Sequence, residues 1–295
     1  FSEIIRKLPD SEIVIDEKNE NITISCEKAN FNISGRRSDD FVHMPAIETE
    51  EHICVSQFTL KEIIRQTIFS IAPNENNKLM TGELFEISEG NLKVVGLDGH
   101  RIAIRNIKLE GRADDVRVVI PGKTLQEISK ILNADAESLV NIYFTNNHVL
   151  FEFDQTHVVS RLIEGEYFKI DQMLSSDYET KVTVNKKELL ECIDRATLLV
   201  KEGDKKPIII SISDGNMELK INSTVGSMDE EIDIIKQGKD IMIGFNPKFM
   251  IDALKVIDDE EIDIYLVNPK APCFIRDIKE KYIYLILPVN FTTVA

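Results

Sequence analysis

Four stretches of the chain repeat the apolar spacing of an amphipathic helix, in which apolar residues recur every three or four positions. They are FTLKEIIRQTIFSI from residue 58, PGKTLQEISKIL from 121, VNKKELLECIDRA from 184 and NPKFMIDALKVI from 246. When Leu60, Leu125, Leu189 and Met250 are aligned, an acid follows two positions later (Glu62, Glu127, Glu191, Asp252) and a residue suited to burial follows next (Ile63, Ile128, Cys192, Ala253). The pattern predicts four helices on one template, and FSEIIRKLP at the start of the chain fits it as a fifth, clipped copy.

Alternating or uniformly apolar runs between these helices predict β-strands. The clearest are LFEIS, LKVVG, VNIYF, VLFEF, MELKI and YIYLIL. A longer repeat is superposed, since SEGNLKVV from residue 88 resembles SDGNMELK from 213, each with a turn of the Gly-Asn type. A helix on one face of an antiparallel sheet gives an α+β unit, and two such units make a domain of about 125 residues. We therefore expect half a domain at residues 1–50 and full domains at 51–178 and 179–295.

Length and composition predict a globular protein, because 295 residues with 43% hydrophobic content can bury substantial cores. No apolar run reaches the roughly 20 residues that span a bilayer, and the opening FSEIIRKLPD lacks the basic start and apolar block of a signal peptide. We expect a soluble, cytoplasmic protein with no membrane partner. Because the chain opens on Phe1 inside a clipped repeat, we also expect a fragment or a processed product.

Cysteine and histidine spacing gives no sign of a metal site. Cys26, Cys54, Cys192 and Cys273 lie far apart without a CxxC pair, which favours buried free thiols over zinc ligands or a disulfide framework. His43, His52, His100, His148 and His157 show neither HxxxH nor HExxH spacing. We expect no metal and no cofactor.

The net charge of −16 argues, at face value, against a partner as anionic as DNA. The charge is unevenly distributed, since the five helical stretches sum to +4 and the remainder carries −20. If all the helices face one way, an acidic molecule presents one comparatively basic surface. The alternative is that Lys and Arg simply occupy solvated helix faces, as in most proteins, and composition alone favours this alternative.

The segment GLDGHRIAI at residues 96–104 is the strongest candidate for chemistry, and three interpretations compete. A general base at His100, paired with Asp98, needs a nucleophile or substrate, and no GxSxG, paired-carboxylate or Cys-His signature accompanies it. As a metal ligand His100 stands alone. Asp98-Gly99 predicts a tight turn after LKVVG that His100 and Arg101 cap by hydrogen bonds. The turn is favoured, and no catalytic residue is expected.

The motifs DGHRIA at 98–103, IPGKTLQEISKIL from 120, IGFNPKFMIDALK from 243 and the terminal LPVNF occur in this order together with the helical repeat. With them the chain resembles the bacterial DNA sliding clamp, the β subunit of DNA polymerase III, over essentially its whole length. The resemblance implies the DNA-clamp fold with the first part of its N-terminal domain missing. Two chains then form a head-to-tail ring whose helices line a central hole and whose sheets form the outer wall.

The implied function is that of a non-catalytic processivity factor. The ring encircles double-stranded DNA without reading its sequence and tethers the DNA polymerase III α subunit, the clamp loader and other proteins that carry a clamp-binding motif. Basic helices near phosphates and an acidic outer wall suit such weak, sequence-independent contacts.

A hydrophobic cleft for partner peptides is implied beside the DGHR turn. The matching positions are Met80, Leu97, Gly99, His100, Arg101 and Ile102, then Phe168, Gln172 and Met173 in EGEYFKIDQML, and Leu287, Pro288 and Val289 in the tail, with Pro272 after a one-residue gap. An apolar groove with few polar groups suits a peptide with Leu and Phe anchors. Leu97, Phe168 and Asn290 depart from the family pattern and TTVA extends the tail, which leaves the peptide preference open.

The resemblance also assigns two further surfaces. The DNA-facing positions are Arg6, Lys7, Asn74, Lys78, Lys123, Arg195 and Lys248, and the dimer contacts are Lys28 and Ile33 against Leu198 and Leu199 of the partner. For the dimer residues the alternative is packing within their own domains. For the whole protein the alternative is a repeat scaffold that binds peptides and does not encircle DNA.

Overall fold

The computed structural model describes residues 1–41, 45, 47, 52–74, 77–111, 114–174, 177–200, 206–277 and 281–291. The chain divides into two compact units, residues 1–46 and residues 47–295. The domain border expected at residue 50 and the tail residues TTVA lie outside the described residues. The borders at 50 and 178 therefore stay predictions.

The first unit is a small antiparallel sheet with one short helix. Its elements are α1 (Ser2–Lys7), β1 (Ile13–Lys18), β2 (Asn21–Cys26) and β3 (Ala29–Ser34), with the strands in the order β1-β2-β3. Ile24 and Cys26 on the central strand are buried, whereas α1 buries no residue.

The second unit contains four helices that follow the predicted template. They are α2 (Gln57–Thr67), α3 (Gly122–Ile131), α4 (Lys186–Thr197) and α5 (Pro247–Val256). Three begin at a side-chain cap, in which Ser56, Asn185 or Asn246 accepts a hydrogen bond from a backbone N–H of the first turn. The aligned residues Leu60, Leu125, Leu189 and Met250 are all buried, as are the four residues three positions further on. The helical repeat is confirmed.

Two antiparallel sheets complete the second unit. Their strands are β4 (His52–Ser56), β5 (Gly82–Ser88), β6 (Asn91–Leu97), β7 (Arg101–Lys108), β8 (Val116–Pro121), β9 (Leu139–Phe144), β10 (His148–Phe153), β11 (Thr156–Arg161), β12 (Thr180–Asn185), β13 (Ile208–Ser213), β14 (Asn216–Asn222), β15 (Ser227–Gly238), β16 (Ile241–Phe245), β17 (Glu261–Leu266), β18 (Cys273–Arg276) and β19 (Tyr282–Ile286). Within the described residues one sheet has the order β11-β10-β9-β4, and the other β16-β13-β14-β15-β12-β17-β18-β19-β7-β6-β5-β8. Every strand run expected from the sequence is present, and the α+β class is confirmed.

The two hairpin turns that the sequence predicts at Gly-Asn each lie one residue earlier in the structure. Ser88 pairs with Asn91 and Ser213 pairs with Asn216, so the two-residue loops are Glu89-Gly90 and Asp214-Gly215. Both glycines have a positive φ, near 75°, which suits a tight hairpin loop. The asparagines are the first residues of the next strands.

The pairing of β19 with β7 joins the two halves of the larger sheet. Ile102 lies opposite Leu285, and Arg101 lies opposite Ile286. On the helical side, α2 and α3 cover one core, and α4 and α5 cover a second. A third core, on the opposite side, lies between the sheet and the segment 163–174. The DGHR turn and the carboxyl-terminal tail therefore meet at one end of the seam.

Gly238 closes the long strand β15 at a site that no other residue fits. Its φ is +102°, and a Cβ atom there would lie 1.9 Å from the backbone oxygen of Glu179.

We expect Gly238→Ala to lower the free energy of unfolding by more than about 2 kcal/mol, measured by urea titration. Gly215→Ala is the control, since Gly215 also has a positive φ but has no atom within 4 Å of an added Cβ. It is expected to cost only about 1 kcal/mol. Equal costs for the two would contradict the steric argument.

No helix in the described part of the chain is long and apolar enough to cross a membrane.

Candidate functional site

The DGHR turn links β6 to β7 and is built around the side chain of Asp98. Its Oδ1 accepts the backbone N–H groups of His100 and Arg101 at 3.1 and 3.2 Å, and Gly99 takes a φ of +80°. A short acidic side chain followed by glycine therefore sets the turn. The predicted hydrogen-bonded turn is confirmed, with Asp98 as the acceptor.

Arg101 carries the turn's strongest contacts and is only 8% exposed. Its Nε donates to Asp98 Oδ2 at 3.0 Å, one terminal nitrogen donates to Asp252 Oδ2 at 2.7 Å, and the other donates to the backbone oxygen of Phe69 at 2.6 Å. The guanidinium also lies 4.4 Å from the ring centroid of Phe249. Arg101 thus ties the turn to α5 and to the 3₁₀ turn Ile68–Ser70 that follows α2, and all three of its nitrogens are already engaged.

His100 lies on the rim, and its ring stacks on Phe249 with 5.9 Å between the centroids. Its backbone oxygen accepts the N–H of Leu287 at 2.9 Å, which extends the β7–β19 pairing into the tail. Within the described residues no group of three or more His, Cys, Asp or Glu side chains could hold a metal ion. His100 contributes a flat ring surface and a backbone acceptor to the rim.

A cavity of about 400 Å³ opens beside this turn at the seam between β7 and β19. It is lined by Met80, Leu97, Gly99, His100, Arg101, Ile102, Phe168, Met173, Pro272, Leu285 and Leu287. Met173 and Leu287 form its lip and are 47% and 36% exposed. The walls are almost entirely apolar, so the cavity suits apolar side chains of a ligand.

Nine of the expected cleft residues, and Pro272, line this cavity, but Gln172, Pro288 and Val289 do not. Gln172 ends a 3₁₀ turn at Ile170–Gln172, and the backbone N–H of Val289 is bonded to Gly244, away from the lip. Leu285 lines the cavity and was missed. Strand periodicity could have found it, because Leu285 and Leu287 are two positions apart and so share a face.

The segment that carries Phe168 and Met173 is held by two buried side chains, Tyr167 and Ile170. The hydroxyl of Tyr167 donates to the backbone oxygen of Val95 at 3.2 Å. Burial, together with the nearby Glu83 carboxyl, raises the pKa of Tyr167, so the phenol stays protonated and keeps this bond. An ion pair of 2.7 Å between Lys93 and Asp171 fastens the segment's outer side. The exposed lip residue Met173 therefore lies on a segment that is fixed by buried side chains, a hydrogen bond and an ion pair.

The residues expected to face DNA are distributed over several helices and turns. Arg6 and Lys7 end α1, Lys123 lies in α3, Arg195 in α4 and Lys248 in α5, while Asn74 and Lys78 lie in the segment between α2 and β5. All seven are exposed. Within the described residues neither Lys123 nor Lys248 forms a salt bridge, and both side chains are exposed to solvent.

Arg195 differs from the other expected DNA contacts because it is paired. Its guanidinium donates to both carboxylate oxygens of Glu230, which raises the pKa of Arg195 and lowers that of Glu230. Because Arg195 is already neutralised by a carboxylate, it offers less charge to a phosphate than Lys123 or Lys248 does.

The residues expected at a dimer contact lie on open surfaces of their own units. Lys28 is exposed just before β3, and Ile33 is half-buried on this edge strand. Leu198 follows α4 and is 81% exposed, whereas Leu199 is half-buried against the core of α4 and α5. Proteins usually cover an edge strand such as β3 and a highly exposed apolar side chain such as Leu198.

Comparison with known proteins agrees with this geometry. Residues 54–169 match the model of the DNA polymerase III beta subunit central domain, and residues 171–290 match that of its C-terminal domain. The chain is 38% identical over 297 residues to the Beta sliding clamp of Bacillus subtilis, covering 98% of this chain and 78% of that protein.

Solved structures give the same result. A crystal structure of a putative DNA polymerase III beta subunit from Eubacterium rectale has a TM-score of 0.93 and 69% identity, covering 98% of this chain and 80% of that one. The DNA polymerase sliding clamp of Bacillus subtilis has a TM-score of 0.92 and 36% identity, covering 99% and 78%. The chain therefore belongs to the DNA polymerase III beta subunit family, the β sliding clamps, which are non-catalytic processivity factors.

Proposed function

We propose that the cavity at the β7–β19 seam binds short apolar peptide segments of the DNA polymerase III α subunit, the clamp loader and other DNA-processing proteins. The observation that carries the proposal is the apolar cavity of about 400 Å³ with an exposed lip at Met173 and Leu287. This volume accommodates one or two large apolar side chains. Peptides with Leu and Phe anchors, of the pattern QLxLF, suit it.

Removing the side chain of Met173 is expected to weaken peptide binding. Met173→Ala should raise the Kd of a labelled QLxLF-type peptide about fivefold or more, corresponding to more than about 1 kcal/mol, as measured by fluorescence anisotropy. The control is Ile131→Ala at the end of α3, which removes a similarly exposed apolar side chain that does not line the cavity. Equal affinities of the wild type and Met173→Ala, with Leu287→Ala also unaffected, would refute the proposed site.

The same function includes sequence-independent contact with double-stranded DNA. The exposed cations Lys123 and Lys248, on α3 and α5, support it, as do Arg6 and Lys7 on α1 and Lys78 in the turn before β5. Such contacts weaken with salt because phosphate binding releases counterions. The acidic remainder of the chain disfavours DNA elsewhere on the surface.

A homodimeric ring in the cytoplasm completes the proposal. The open edge of β3, with Lys28 and Ile33, is proposed to meet Leu198 and Leu199 of a second copy.

DNA topology distinguishes this ring from a scaffold that binds peptides alone. A ring loaded by a clamp loader is expected to stay on nicked circular DNA and to slide off once the circle is cut. A scaffold behaves identically on both forms, and equal retention on circle and linear DNA would favour it.

A further inference from the structure

The carboxyl-terminal tail is bound at two places after it leaves β19. The N–H of Leu287 donates to the backbone oxygen of His100 at 2.9 Å, and the N–H of Val289 donates to that of Gly244 at 2.8 Å. Gly244 belongs to β16, the edge strand of the larger sheet. The tail therefore connects the lip of the cavity to the β16 edge of the sheet within two residues.

The tail's last described residue, Phe291, packs against Gly244. Gly244 is buried although its strand lies at an edge. A Cβ atom added to it would lie 2.6 Å from Cδ1 of Phe291, 3.3 Å from Cε1 of the same ring and 2.9 Å from the backbone oxygen of Val289. The ring thus packs directly on the glycine backbone, and the missing side chain provides the space.

This contact bears on the cavity because Leu287 lies only four residues before Phe291. Leu287 is a lip residue, and a single backbone hydrogen bond to His100 holds it on the cavity side. A tail free beyond that bond samples many conformations, and ordering it on binding costs conformational entropy for each residue that is fixed. A tail already fixed at its far end has lost that freedom before the ligand arrives.

We infer that Phe291 and Gly244 are positioning residues of the binding cavity, forming a ring-on-glycine seat that holds Leu287 in place as part of the wall. Neither residue lines the cavity. The inference rests on the proposed function for its effect on affinity, but the seat itself can be tested without a ligand.

The binding test uses the full chain and the labelled QLxLF-type peptide. Phe291→Ala and Gly244→Ala are each expected to raise the Kd about five- to tenfold and to lower the denaturation midpoint only slightly, because only the tail loses contacts. Phe291→Leu should keep most of the affinity. Combining Phe291→Ala with Gly244→Ala should cost less than the sum of the single effects, since both remove the same contact.

Gly226→Ala is the matched glycine control, because an added Cβ there would meet only Leu199, at 3.8 Å. Its affinity should equal that of the wild type. Wild-type affinity in both Phe291→Ala and Gly244→Ala would overturn the inference.

Hydrogen exchange of the Val289 amide, followed without peptide, separates the seat from the proposed function. The N–H of Val289 should be protected in the wild type and lose that protection in Phe291→Ala. If the Val289 amide exchanges without protection in the wild type, the inferred seat does not exist, whether or not the peptide binds. Suppose instead that the Val289 amide is protected in the wild type and loses that protection in Phe291→Ala, but the wild type binds no peptide. The seat would then stand, and the proposed function would be wrong.

Discussion

Glu83→Gln is expected to make the protein more stable at neutral and alkaline pH and to remove most of the pH dependence of its stability between about pH 4.5 and pH 8. Glu83 lies in β5 and is 0% exposed. Among the described residues neither of its carboxylate oxygens has a hydrogen-bond partner. Burial raises its pKa from 4.5 to about 8, and Thr67 opposes the rise only in part because its hydroxyl donates to the backbone oxygen of Ile63 at 2.7 Å.

The direction of the effect follows from proton binding. Between about pH 4.5 and pH 8 the folded protein keeps a proton on Glu83 that the unfolded chain has released. Stability therefore falls as pH rises through this window and stays level above it. A shift of this size corresponds to about 4 kcal/mol of lost stability at pH 8.

Urea unfolding at pH 5, 7 and 8.5 measures this effect. Glu89→Gln is the control, since it changes an exposed carboxyl on the same β5–β6 hairpin. Glu83→Met should stabilise further, because methionine leaves no buried amide without a partner. A wild-type curve that is level between pH 5 and 8, or that slopes equally in Glu83→Gln, would contradict this assignment.

Arg101→Ala is expected to cost about 3 kcal/mol or more of stability and at least about tenfold in peptide affinity. The substitution leaves the carboxylates of Asp98 and Asp252, which are 13% and 25% exposed, without their shared cation. The substitution also removes the side-chain contacts that fix the DGHR turn. In that turn the backbone oxygen of His100 accepts the N–H of Leu287. Stability and binding should therefore fall together.

Arg65→Ala is the matched control for the loss of an arginine. Arg65 also bridges two acids, Glu62 and Asp258, but its side chain is 34% exposed. Its loss should cost less than about 1 kcal/mol of stability and leave peptide affinity unchanged. Similar losses for the two arginines would contradict the special role of Arg101.

Asp252→Asn tests the same link should Arg101→Ala fail to fold. Asp252 is the repeat's acid in α5, and it reaches across to Arg101, whereas Glu127 in α3 pairs with Lys130 on its own helix. Asp252→Asn should lower both stability and peptide affinity, and Glu127→Gln should lower neither. Equal behaviour of these two variants would show that the cross-link does not position the cavity.

Local patterns predicted the elements well because each helix and strand has its own periodicity. The buried positions Leu60, Leu125, Leu189 and Met250 follow from the 3.6-residue repeat, and the strands follow from alternation. The predicted positions of the two hairpin loops were wrong by one residue, because the positive φ falls on Gly90 and Gly215 rather than on the asparagine that follows each glycine.

Contacts between distant segments could not be predicted in this way. Nothing local to Arg101 indicates that its second carboxylate partner, Asp252, lies 151 residues away on α5. The burial of Glu83 is equally hidden, since an acid at the start of a strand usually faces solvent. The cavity residues came from the family resemblance, and that resemblance did not supply Leu285 or the seat of Phe291 on Gly244.

The measurement that tests the central claim most directly is a crystal structure of the chain with a bound peptide of the QLxLF pattern. The account predicts that the apolar side chains of the peptide fill the cavity between Leu97, Ile102 and Leu285, with Met173 and Leu287 closed over them. An empty cavity, with a peptide that binds in solution found elsewhere on the surface, would contradict it.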